Sequence, residues 1–155
     1  MKALILILTG MFLSSCIKEE STTTTGFLLN STSHNIELRA FRNGINTTST
    51  TVSVPPHSEI KIGERYEHGL VALGQGFSSE KLDGDSIHVI FDGVYQTTHY
   101  LNNPASTAVN HYLYQQPRNV YWINKYEGVV TSQKKHLKAI KYTYTFIEQD
   151  YVDAQ

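Results

Sequence analysis

The dipeptide Asp92-Gly93 commits the middle of this chain to a tight β-hairpin. It sits between Ser86-Ile87-His88-Val89-Ile90-Phe91 and Val94-Tyr95-Gln96-Thr97-Thr98-His99-Tyr100, two runs rich in β-branched and aromatic residues. A type I′ turn needs positive φ at both central residues, and Asp-Gly tolerates that. A two-residue loop pairs Phe91 with Val94, Val89 with Gln96 and Ile87 with Thr98. It predicts one core face made of Ile87, Val89, Phe91 and Val94. In the same register His88 lies opposite Thr97 and His99 opposite Ser86. The two histidines are then diagonal neighbours on the other face, about 7–8 Å apart at the backbone.

The same period of two recurs along the chain. Ile36, Leu38 and Ala40 alternate with Glu37 and Arg39, and Ile140, Tyr142, Tyr144 and Phe146 alternate with Lys141, Thr143 and Thr145. Asn43-Gly44 offers a second turn, with a conflict. A plain two-residue loop would put Val52 and Val54 on the face opposite Ile36 and Leu38, so a bulge or a longer connection is expected. Pro55-Pro56 ends the Val52–Val54 strand. Ile60 and Ile62 point inward in the next strand, Leu70 to Leu73 is a short apolar run before Gly74-Gln75-Gly76, and Phe27 to Leu29 reads as the first strand. No segment carries a long helical period. Residues 101–118 read mainly as loop, and Val120 to Lys125 as a short helix or a strand. Many short strands with regular turns predict an all-β chain, an antiparallel β-sandwich, with a partly closed barrel as the alternative.

The chain has 155 residues and a formal net charge of −1, and nothing in this balance suggests a nucleic-acid binder, which would usually carry a basic patch. Its length fits one domain, expected over residues 26–155, large enough to fold without metal or disulfide. The single cysteine, Cys16, cannot form an internal disulfide. Its surroundings give it another role. Met1-Lys2 is a short positive start, and Ala3 to Leu13 is an apolar run too short for a transmembrane helix but suited to a signal peptide. Leu13-Ser14-Ser15-Cys16 then resembles the lipobox of bacterial lipoproteins. The resemblance implies cleavage after residue 15 and acyl chains on Cys16, hence a membrane as partner. Stable anchoring follows from two or three chains, at about 0.8 kcal/mol per buried methylene. Lys18-Glu19-Glu20 resembles the surface-export signal of Bacteroidota lipoproteins, which implies the outer membrane and an outward-facing domain, with the periplasmic face as the alternative. Ser21 to Thr25 reads as a flexible polar spacer, so that residues 16–25 form a lipidated tether.

The layout as a whole resembles small Bacteroidota lipoproteins of uncharacterised function. That likeness rests on Cys16 with its acidic follow-on, Asn30-Ser31-Thr32-Ser33-His34-Asn35-Ile36, Pro55-Pro56-His57-Ser58, Ile90-Phe91-Asp92-Gly93 and Tyr142-Thr143-Tyr144-Thr145-Phe146. It implies no catalytic residue and no cofactor.

Few constellations carry chemistry. Of seven histidines, only His88 and His99 come together in the expected hairpin, and a third metal ligand is not evident. Tyr112, Tyr114, Tyr121 and Trp122 cluster in an irregular stretch and would suit a glycan face or a protein ligand. Asp85-Ser86-Ile87 resembles the Bacteroidota O-glycosylation motif, with Ser86 as acceptor. Glu148, Asp150 and Asp153 read as a frayed acidic tail. There is no nucleophile elbow and no phosphate-cradling glycine loop. The expectation is a lipoprotein with a non-catalytic binding or envelope-structural role. A glycan-binding accessory protein stands as the alternative, and a small envelope hydrolase stands third.

Overall fold

The computed structural model describes residues 20–47, 51–68 and 80–155. Two sheets face each other, and neither closes into a barrel. In the first, β1 (Ser21–Asn30) is central, between β5 (Glu59–His68) and β10 (Leu137–Phe146), and β9 (Glu127–Lys134) forms an outer edge on β10. In the second, the path runs through β3 (Ile45–Asn46), β2 (Ile36–Arg42), β6 (Ser86–Phe91), β7 (Tyr95–Tyr100) and β8 (His111–Tyr112), and β4 (Val52–Val54) also pairs with β2. Inward side chains of both sheets make one core. Leu28, Ile62, Tyr144 and Phe146 meet Ile36, Leu38, Ile87, Val89 and Phe91, as two facing sheets with alternating strands require.

The all-β sandwich therefore stands, but it is mixed rather than purely antiparallel: β1 runs parallel to β10, and β7 parallel to β8. The domain also begins earlier than residue 26. Ser21 to Thr25, expected as a spacer, is the first half of β1, with Ser21, Thr22 and Thr24 buried. Threonine is β-branched and favours strands. Its hydroxyl need not be orphaned, and Thr24 Oγ1 donates to the Arg65 carbonyl at 3.4 Å. With β5 on one side and β10 on the other, a polar run is held by ladders on both edges.

The Asp92-Gly93 turn forms with φ of 50° and 71°, and the Val94 N–H donates to the Phe91 carbonyl at 3.0 Å. The ladder then resumes one residue late, at Phe91 opposite Tyr95. Val94, expected in the core, is 72% exposed. Val89 faces Thr97, Ile87 faces His99, and His88 faces Thr98. His88 and His99 consequently sit on opposite faces of the sheet, and the expected imidazole pair does not exist. At the second turn Asn43 and Gly44 also take positive φ and join Arg42 to Ile45 directly. The turn itself is thus the plain two-residue loop, and the conflict resolves because the register on β2 changes between β3 and β4: Val54 pairs with Ile36 and Val52 with Leu38, so both valines face the core.

Two further elements differ from expectation. β9 is exposed along its whole length, so no apolar alternation announced it. The acidic tail is not frayed but forms α1 (Glu148–Val152), with Asp150 buried. Val120 to Lys125 contains a single 3₁₀ turn at Ile123–Lys125. The run Leu70 to Leu73 and Gly74-Gln75-Gly76 lie outside the described residues.

Gly84 fixes the approach to β6. A Cβ there would stand 2.4 Å from the Phe41 carbonyl oxygen, whereas one on Gly93 would meet nothing within 4 Å. Gly84→Ala is therefore expected to destabilise by about 2–3 kcal/mol through overpacking against backbone. Gly93→Ala should cost only about 1–2 kcal/mol, for its left-handed φ. Urea denaturation of both variants checks the order, and the reverse order would show that the Gly84 contact does not constrain the fold.

Candidate functional site

Side chains on the outer face of the second sheet form rows across its strands. Phe41, Ser86 and Tyr100 make one row, and Arg39, His88 and Thr98 the next. The β2–β3 turn at Gly44 and the chain after β7, at Asn102 and Pro104, rise around these rows. Together they enclose a cleft of about 500 Å³, within the size range of small-ligand sites.

The cleft has aromatic walls and a polar floor. The His88 ring lies on Phe41, with centroids 4.1 Å apart and planes 31° apart. Burial, and then the nearby Arg39 cation, lower the pKa of His88, so its ring is neutral at neutral pH. Neither ring nitrogen bonds to a described residue. A neutral imidazole offers one donor and one acceptor to a ligand. Asp85 is tied into the wall: one oxygen accepts the Asn43 N–H at 2.7 Å, and the other accepts the Ser86 hydroxyl at 3.2 Å. Tyr100 is positioned by accepting the Ala108 N–H at 3.1 Å. Ser86 Oγ bonds Asp85 rather than His88, so the nucleophile-to-base contact of a hydrolytic triad is not made here.

The residues singled out in the sequence disperse. The Tyr112 hydroxyl donates to Asp153, and burial first, then that bond, raise its pKa. Tyr121 packs on the core, its hydroxyl pKa raised by burial and then by the Asp85 and Asp83 carboxylates. Trp122 is covered by the Lys125 ammonium, 4.8 Å from its ring centre, and Tyr114 is exposed. No ring contact joins any two of these four among the described residues, and of the four only Tyr114 is exposed, the others being half-buried. Ser86 is 8% exposed with its hydroxyl engaged, a geometry at odds with a glycosylated serine. Cys16, Lys18 and Glu19 lie outside the described residues, and Glu20 is exposed just ahead of β1. No group of three or more metal-ligating side chains occurs among the described residues. Phe41 and Tyr100 went unnoticed in the sequence, although an aromatic at an outward position, directly after the Ile36–Ala40 alternation, was a readable signal.

No family model, no curated protein and no solved structure matches this chain.

Proposed function

We propose that the chain is a lipid-anchored, non-catalytic binding protein of a bacterial outer membrane, and that the outer-face cleft takes a glycan. The cleft carries this reading. A sugar ring presents an apolar C–H face edged by hydroxyls. Phe41 and Tyr100 supply flat apolar walls. A neutral His88 and the side chains of Asn102 and Asp85 supply donors and acceptors for the hydroxyls. This moves the contact residues from Tyr112, Tyr114, Tyr121 and Trp122 to Phe41, His88 and Tyr100. Anchoring rests on Cys16 within its lipobox, and outward placement rests on Lys18-Glu19-Glu20.

Purified protein probed on a panel of bacterial and host oligosaccharides is expected to bind at least one. Phe41→Ala should then weaken that binding tenfold or more, about 1.4 kcal/mol, with an unchanged circular dichroism spectrum. A wild-type protein that binds none of the panel, or equal binding by Phe41→Ala, removes the glycan assignment. The anchor is tested separately: Cys16→Ser should abolish labelling by a fatty-acid probe.

A further inference from the structure

The start of β1 lies against the turn between β9 and β10. Ser21 pairs with Leu137, and its N–H donates to the His136 carbonyl at 2.9 Å. Around that turn Lys134 and Lys135 are exposed, Lys138 is half-exposed, and Leu137 is exposed between them. No carboxylate of a described residue forms an ion pair with any of these three lysines. The neighbouring Arg65 and Glu67 neutralise each other at 2.7 Å. A cavity of about 230 Å³ opens between the lysines and Glu20-Ser21. The other end of the same two strands, at Asn30 and Phe146, leads instead to α1 with Glu148 and Asp150.

Cys16 is five residues before Ser21. Even fully extended, that tether reaches only about 17 Å. Because β1 begins at Ser21 rather than after a long spacer, the two segments that flank Ser21, the lysine-bearing turn and the end of β5 at His68, are the parts of the first sheet held nearest to the acyl chains. Charges within roughly 8–10 Å of a membrane surface act on it before salt screens them. The three turn lysines, set against Glu20 on the wall of the same cavity, leave a local charge of +2. We infer that the β9–β10 turn is a membrane-docking surface: Lys134, Lys135 and Lys138 pair with phosphate groups of anionic lipid, Leu137 enters the interface, and the domain is held with its base on the bilayer. This rests on the anchored reading above.

The test uses the full-length lipidated protein, reconstituted into vesicles of zwitterionic phosphatidylcholine or of phosphatidylcholine with phosphatidylglycerol. Amine-reactive labelling is read lysine by lysine by mass spectrometry, with Lys81 and Lys125 as internal references. Labelling of Lys134, Lys135 and Lys138 should be at least threefold slower on the anionic vesicles, and 0.5 M salt should erase the difference. Equal rates on both vesicles overturn the docking surface and leave the lysines as solvated groups near a sheet edge. An equal slowing by inorganic phosphate on zwitterionic vesicles assigns them to free phosphate, and also overturns it. The same spectra read the mass of Cys16. A cysteine without acyl chains overturns the anchor itself, whatever the lysines do.

Discussion

Asp150→Ala is expected to lose about 3–5 kcal/mol of unfolding free energy, the range for removing one partner of a buried ion pair. Asp150 is the buried acid of α1, and its carboxylate does three things at once. It accepts the Arg118 Nε–H at 2.7 Å, takes a second bond from the Arg118 Nη2, and accepts the Ile147 N–H at 2.9 Å. Arg118 in turn donates to the Thr145 carbonyl at 2.8 Å, lies 5.1 Å over the Tyr144 ring, and accepts the Tyr144 hydroxyl through its own carbonyl at 2.7 Å. Removing the carboxylate leaves a half-buried guanidinium without its counter-ion. It also releases a five-residue helix whose Tyr151 ring stacks on His34 at 3.6 Å. Arg118→Met alone should be similarly harmful. The double variant Arg118→Met with Asp150→Leu should lose clearly less than the sum, because an apolar pair leaves no uncompensated charge. Guanidinium denaturation of the four proteins checks this. A loss under 1 kcal/mol for Asp150→Ala would return the acidic segment to a frayed tail.

That helix shows where reading the sequence stops. Glu148, Asp150 and Asp153 look alike in one dimension; each meets a partner from a distant segment (Ser33, Arg118 and Tyr112), and only Asp150 is buried against its own. The strands that could be read from alternation, Ile36–Ala40 and Ile140–Phe146, have one apolar and one polar face, where the period of two is explicit, whereas Ile87–Phe91, with Ile90 buried on its outward side, is read from the turn that follows it. β9 has both faces in solvent and β1 begins with a buried polar run, so neither shows that contrast. The parallel pairing of β1 with β10 joins segments over a hundred residues apart, which local pattern does not encode.

The cleft failed to appear for a related reason. Its walls are cross-strand neighbours, Phe41 beside Ser86 beside Tyr100, and finding them requires the register. The Asp92-Gly93 turn was legible, but whether pairing resumes immediately or one residue later was not. That single residue decides which histidine lies inside the sandwich and which faces the cleft. Ser86 and His88 were singled out for chemistry they do not share, and both line the site for another reason, as one outward-facing side of β6.

The histidine turned inward by that slip should make the fold acid-sensitive. His99 is buried, and its Nδ1 accepts the Val120 N–H at 3.0 Å, which fixes the proton of the neutral ring on Nε2. Protonating Nδ1 would break that bond and bury a cation. Burial, and then the positive Arg118, hold its pKa down to about 3 from an ordinary 6.5. Between those values the unfolded chain binds a proton that the folded chain refuses, so stability rises with pH there and is flat above 6.5 with respect to this group. The slope approaches about 1.4 kcal/mol per pH unit, and the accumulated loss near pH 3.5 is on the order of 4 kcal/mol. His88, also lowered, adds in the same direction, and Asp92, held low by its bond to His34, contributes once the pH nears the carboxylate range. The window from pH 6.5 to about 5 therefore isolates the histidines. His99→Gln keeps an acceptor for Val120 but cannot titrate. It should be less stable than the wild type at pH 7.5, and its deficit should shrink by about 1–2 kcal/mol by pH 5, because only the wild type loses the stability tied to a neutral ring. Urea unfolding across that window measures both curves. Parallel curves would mean that His99 binds its proton in the folded state, which would require the Val120 contact and the inward register of β7 to be wrong.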